Sequence, residues 1–145
     1  MENNQDIDMV FFDIGGMLDE RHPTTGLFKP FPSSADLLKA MREVVGLRIG
    51  VMTTLWPGLT NTEGLALLQG AGLAQFLDPQ GFVSDHDAGV AKPHVAIYQV
   101  APQRVGVPIG HCLSVGENLI EVLGALAAGM KAVLKPCPPG REVSG

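Results

Sequence analysis

Five short apolar runs recur along this chain, and helix-length stretches fall between them. The runs are MVFF (9–12), LRIGVMT (47–53), GFVSD (81–85), HCLSVG (111–116) and KAVLK (131–135). MVFF reads as a buried strand ending at Asp13. SSADLLKAMREVV (33–45) opens with capping residues, carries Leu37, Leu38, Met41 and Val44 at helical spacing, and meets a stop at Gly46. A second helix is expected within Asn61–Gln69, ended by Gly70 and Gly72. KPHVAIYQVAPQRVG (92–106) reads as a third, with Pro93 tolerated in its first turn. ENLIEVLGALAAGM (117–130) reads as a fourth, with small residues for close packing. Strands separated by helices predict an α/β fold: a five-stranded parallel sheet covered on both faces. Right-handed crossovers put every strand's C-terminal end on one edge, and ligands of such sheets bind in the crevice beyond it.

Bulk properties narrow the function classes. With 145 residues the chain fits one domain of 8–135, with a loose segment at 1–7 and a loose tail at 136–145. Hydrophobic residues make up 46% and charged residues 17%, which disfavours disorder. The net charge of −5, without a basic stripe, argues against nucleic-acid binding. No run reaches the roughly 18–20 apolar residues of a membrane span. The polar start MENNQDID does not resemble a secretory signal. Cys112 and Cys137 lack metal-ligand spacing and read as reduced thiols in a cytoplasmic protein, with a disulfide as the lesser alternative.

Polar residues interrupt the pattern at one edge. Asp13 ends the first strand, Thr53 and Thr54 the second; Lys92 opens the helix after the third, and Glu117 follows the fourth. Glu121 lies four residues beyond Glu117, a spacing that puts both on one helix face. Taken singly, each has an ordinary structural explanation: turn residue, β-branched strand residue, solvated helix start, or first-turn acid. Together they are the inventory of phosphoryl transfer. A carboxylate can attack phosphorus, Mg²⁺ requires oxygen ligands, and an ammonium and a hydroxyl stabilise phosphoryl oxygens.

In this order the motifs resemble those of the haloacid dehalogenase-like superfamily, mostly Mg²⁺-dependent phosphatases. FFDIGGML resembles its first motif, GVMTT its second, the Lys of VAKPHVAIYQVA its third, and SVGENLIEVLGALAAGMKAV its fourth. The resemblance implies a three-layer Rossmann-like fold and a Mg²⁺ cofactor. It makes Asp13 the nucleophile and a metal ligand, and Gly15 a ligand through its carbonyl. It implies that Thr53 binds phosphate, that Lys92 neutralises an aspartyl phosphate, and that Glu117 and Glu121 complete the metal set. Gly16, Thr54 and His22 are further candidates for substrate binding.

Three positions depart from the family pattern. Gly15 stands where an aspartate serves as general acid and base, Met17 where Thr or Val is usual, and Glu117 and Glu121 where aspartates are usual. Losing a positioned proton donor costs on the order of 10²–10⁴ in rate. Alcohol leaving groups suffer most; acyl and aryl phosphates suffer less. The spacing leaves no room for either family cap, so a capless enzyme is expected, with 18–32 as a small flap. On that flap Glu20, Arg21, His22, Thr24 and Lys29 are candidate selectivity groups, and His22, with an ordinary pKa of about 6.5, is the candidate substitute proton donor. An open site suits a phosphorylated small molecule or macromolecule and is compatible with a homodimer.

The competing reading is a catalytically degenerate domain used for binding or assembly. A halide-releasing enzyme would need a cap that this chain lacks. A receiver domain would carry its acceptor on the third strand. A dinucleotide fold would need G-x-G-x-x-G after the first strand.

Overall fold

A computed structural model describes residues 6–13, 34–55, 58–70, 72–92, 94–116 and 118–134. Five strands appear where the apolar runs predict them: β1 (Met9–Phe12), β2 (Arg48–Thr53), β3 (Phe82–Ser84), β4 (Cys112–Gly116) and β5 (Lys131–Leu134). All pair in parallel, in the order β3-β2-β1-β4-β5. The helices are α1 (Ser34–Ala40), α2 (Asn61–Gly70), α3 (Asp85–Ala88), α4 (Val95–Val105) and α5 (Leu119–Ala128). A wider turn, Met41–Val45, continues α1 and ends at Gly46, whose φ of 83° suits glycine.

Each strand of a parallel sheet must hide both faces. β1 does so by alternation. Met9 and Phe11 join one core with Ile97, Tyr98 and Ala101 of α4 and Ala125 of α5. Val10 and Phe12 join the opposite core with Leu38 of α1 and Leu68 of α2. Burying a side chain such as Phe11, which is 0% exposed, contributes about 1.5–3 kcal/mol. The chain builds β2 and β3 on one side of β1, then β4 and β5 on the other. The order therefore reverses beside β1, and the crevice lies beyond the ends of β1 and β4.

Several boundaries differ from expectation. Asp85 begins α3 instead of ending β3, because Ser84 caps that helix: its hydroxyl accepts from the His86 N–H and Asp87 accepts from the Ser84 N–H. Lys92 precedes α4 instead of opening it, since His94 is the cap and accepts the Ala96 N–H. α5 starts at Leu119, with Asn118 accepting the Glu121 N–H. The face expected to be shared by Glu117 and Glu121 lies outside the described residues, because Glu117 does. On the first helix Leu38 is buried and Met41 half-buried, whereas Leu37 and Val44 are exposed, so the apolar periodicity over-assigned the inward face. The flap at 18–32, the segment 1–5 and the tail lie outside the described residues.

Candidate active site

Asp13 is the first residue past β1, and its N–H reaches the Val115 carbonyl of β4 at 3.4 Å. That fastens the carboxylate to the point where the strand order reverses. Its side chain is 8% exposed, and Lys92 Nζ lies 3.1 Å from its Oδ1. The same Nζ lies 2.9 Å from Glu121 Oε1. An ammonium 4% exposed thus joins two carboxylates delivered by different layers. Burial pulls the Lys92 pKa down, but the charges of Asp13 and Glu121 outweigh it, and the net shift is upward. Lys92 is a fixed cation here, not a neutral base.

Tyr98 completes the cluster. It sits on α4, is 1% exposed, and donates its hydroxyl to the Glu121 backbone carbonyl at 2.9 Å. Desolvation first, then the charges of Glu121 and Asp13, hold its pKa well above the usual phenol range. A small cavity opens among Asp13, Lys92, Tyr98, Glu121 and the β4 residues Ser114 and Gly116.

The structure brings Asp13, Lys92 and Glu121 into one cluster. Thr53 lies at the same sheet edge, 5% exposed; its hydroxyl donates to the Thr54 carbonyl at a long 3.5 Å. Thr54 is found in an unexpected contact: its hydroxyl accepts the Lys92 backbone N–H at 3.1 Å. Gly15, Gly16, His22 and Glu117 lie outside the described residues. The sequence reading missed Tyr98 and Asn118 as supports. Asn118 had a legible signal, a cap residue just before an apolar helix. Tyr98 looked like any core aromatic.

The fit of a divalent cation can be judged from the donors. Asp13 and Glu121 offer hard carboxylate oxygens on one ammonium, and such oxygens suit Mg²⁺. Among the described residues no group of three or more His, Cys, Asp or Glu is arranged for a metal. The pair therefore fits Mg²⁺ as part of a set, to which Gly15 and Glu117 are the sequence's further candidates.

Residues 5–129 match the family model of haloacid dehalogenase-like hydrolases. The chain belongs to that family. One relative of this haloacid dehalogenase-like chain is the glyceraldehyde 3-phosphate phosphatase of Methanothermobacter thermautotrophicus, 30% identical over 120 residues, covering 82% of this chain and 50% of that protein. Another is the 5-amino-6-(5-phospho-D-ribitylamino)uracil phosphatase YigB of Escherichia coli K12, 35% identical over 78 residues, covering 53% of this chain and 32% of that protein. The chain thus spans half or less of the length of these relatives. Among solved structures, a HAD family hydrolase from Deinococcus radiodurans R1, crystallised with bound phosphate and sodium, superposes with a TM-score of 0.71 at 19% identity. That match covers 98% of this chain and 86% of the other, and it supports the Rossmann-like haloacid dehalogenase fold. Among the described residues, no helix is long and apolar enough to cross a membrane.

Proposed function

We propose that this haloacid dehalogenase-like domain is a phosphatase that hydrolyses phosphoric monoesters or acyl phosphates through a phosphoryl group carried on Asp13. The observation that carries the reading is the buried Asp13–Lys92–Glu121 cluster at the strand-order reversal. The phosphatase names of two relatives support the substrate class.

The chemistry follows from the groups. An Asp13 oxygen attacks phosphorus, and the ester bond breaks with its electron pair leaving on the departing oxygen. Water then attacks phosphorus, releases inorganic phosphate and restores the carboxylate. Lys92, held cationic, neutralises charge on Asp13 and on the phosphoryl oxygens. Thr53 is the candidate hydroxyl donor to those oxygens. Asp13 and Glu121, with the Gly15 carbonyl and Glu117, would hold Mg²⁺, which would supply further neutralisation of phosphoryl charge. The leaving oxygen and the attacking water need a proton carrier, and Gly15 cannot be one. His22 is the candidate carrier. Without a strong acid, leaving groups of low pKa are the preferred substrates. An open, capless site suits a phosphorylated small molecule or macromolecule, with 18–32 as the candidate flap. On this reading it acts in the cytoplasm, and the open site is compatible with a homodimer.

The Gly15 departure favours a second reading, a binding or assembly module that has lost turnover. One assay separates the two: p-nitrophenyl phosphate hydrolysis with Mg²⁺, run beside Asp13→Asn. The phosphatase reading expects turnover that the variant abolishes, together with Mg²⁺-dependent beryllofluoride binding. Turnover equal to that of the variant, with no beryllofluoride binding, favours the second.

A further inference from the structure

The segment after β2 is fastened at two points to the chain that leads into α4. The Leu55 N–H donates to Asp85 Oδ1 at 2.9 Å, and the Lys92 N–H donates to Thr54 Oγ1 at 3.1 Å. The second bond bears on the site directly. The Lys92 ammonium must reach two carboxylates within 3.1 Å from the end of a flexible four-carbon stem. Where its backbone sits decides whether it reaches both. α4 begins only at Val95, and ahead of it the Lys92 backbone lies in a turn closed by the His94 N–H on the Ala91 carbonyl at 3.0 Å. Thr54 ties that turn to the end of β2 by accepting the Lys92 N–H, and Thr54 is absent from the cavity lining.

We infer that Thr54 is a positioning residue for Lys92: its hydroxyl anchors the Lys92 backbone so that the ammonium bridges Asp13 and Glu121. The inference rests on the phosphatase reading for its catalytic consequence, but not for the anchor itself. A hydroxyl spent as acceptor on a main-chain N–H is committed to geometry, and misplacing a catalytic group by about 1 Å can cost up to about 10²-fold in rate.

Two substitutions isolate the hydroxyl from the packing. Thr54→Val keeps the shape and removes the acceptor; Thr54→Ser keeps the acceptor and removes a methyl. Two readouts are taken: amide hydrogen exchange at Lys92, and steady-state hydrolysis of p-nitrophenyl phosphate with Mg²⁺. Thr54→Val is expected to speed Lys92 amide exchange about 10-fold and to lower kcat about 10-fold with KM unchanged. Thr54→Ser is expected to stay near wild type in both. In a Lys92→Met background Thr54→Val should bring no further loss of kcat. Unchanged Lys92 exchange in Thr54→Val overturns the anchor. A rise in KM alone overturns positioning in favour of substrate contact, and equal losses in both variants overturn it in favour of packing. If wild-type turnover does not exceed that of Asp13→Asn, the phosphatase reading fails, and the exchange measurement still decides the anchor.

Discussion

The Lys92 ammonium lies 2.9 Å from Glu121 Oε1 with side-chain exposures of 4% and 17%, an ion pair formed almost entirely out of water. Removing one partner of a buried pair leaves a charge without compensation, which costs about 3–5 kcal/mol. Lys92→Met should therefore destabilise the fold by up to about that amount at neutral pH, because Glu121 loses its buried cation and Asp13 loses one of its partners. Glu121→Gln should cost less, since Asp13 still compensates Lys92. Urea unfolding of both variants checks the ordering. A Lys92→Met protein as stable as wild type would show that the pair is not held as described.

Gly50 is the point where the sheet has no spare volume. A Cβ there would fall 2.7 Å from the Gly81 carbonyl oxygen and 2.7 Å from atoms of Met9 and Phe11. The carbonyl belongs to backbone and the aromatic ring is wedged in the core, so neither can swing away. Gly50→Ala should lower stability by about 1–3 kcal/mol, as overpacking does. Gly110→Ala, where a Cβ meets nothing within 4 Å, is the control and should unfold near the wild-type midpoint.

The far edge of the sheet carries a pH-dependent contribution. Arg48 Nε donates to Asp78 Oδ2 at 2.7 Å, and that hydrogen bond, against the opposing effect of burial, holds the Asp78 carboxyl below the usual range. A depressed folded pKa means stability that is present above the unfolded value of about 3.9. It is lost as pH falls through the folded pKa. Arg48 is 42% exposed, which limits the effect to about 0.5–1 kcal/mol. Asp78→Asn should be less stable than wild type by about that amount at pH 7, and the gap should close near pH 2. A gap that widens on acidification contradicts the assignment.

Cys112 is expected to be chemically silent. Its side chain is buried, and desolvation, against the opposing charge of Arg48, pushes the thiol up to about 11. The thiolate is the reactive form. Iodoacetamide at pH 8 should leave Cys112 unmodified in the folded protein and label it in urea, as peptide mass spectrometry reports. Rapid labelling of folded protein at Cys112 would refute the burial.

The sheet was legible because five apolar runs carry a signal that survives in a single sequence; both faces of β1 are buried, so its pattern is continuous. Asp13, Lys92 and Glu121 were legible as residues but not as neighbours. Their meeting depends on α5 starting at Leu119 and on Lys92 lying ahead of α4, and capping by Asn118 and His94 decides both. Cap geometry is local and weak beside periodicity, so the reading began both helices too early. The Thr54 contact was out of reach of sequence, because it joins segments 38 positions apart through one hydroxyl.

The Tyr98 hydrogen bond to the Glu121 backbone has a mechanical consequence. Lys92 leads into α4, Glu121 rides on α5, and Tyr98 couples the two helices at their shared face. The cation is thus joined to α5 through Glu121 and to the end of β2 through Thr54, while Asp13 follows β1. A displacement of α5 or of the end of β2 is therefore transmitted to the ammonium that sits beside Asp13.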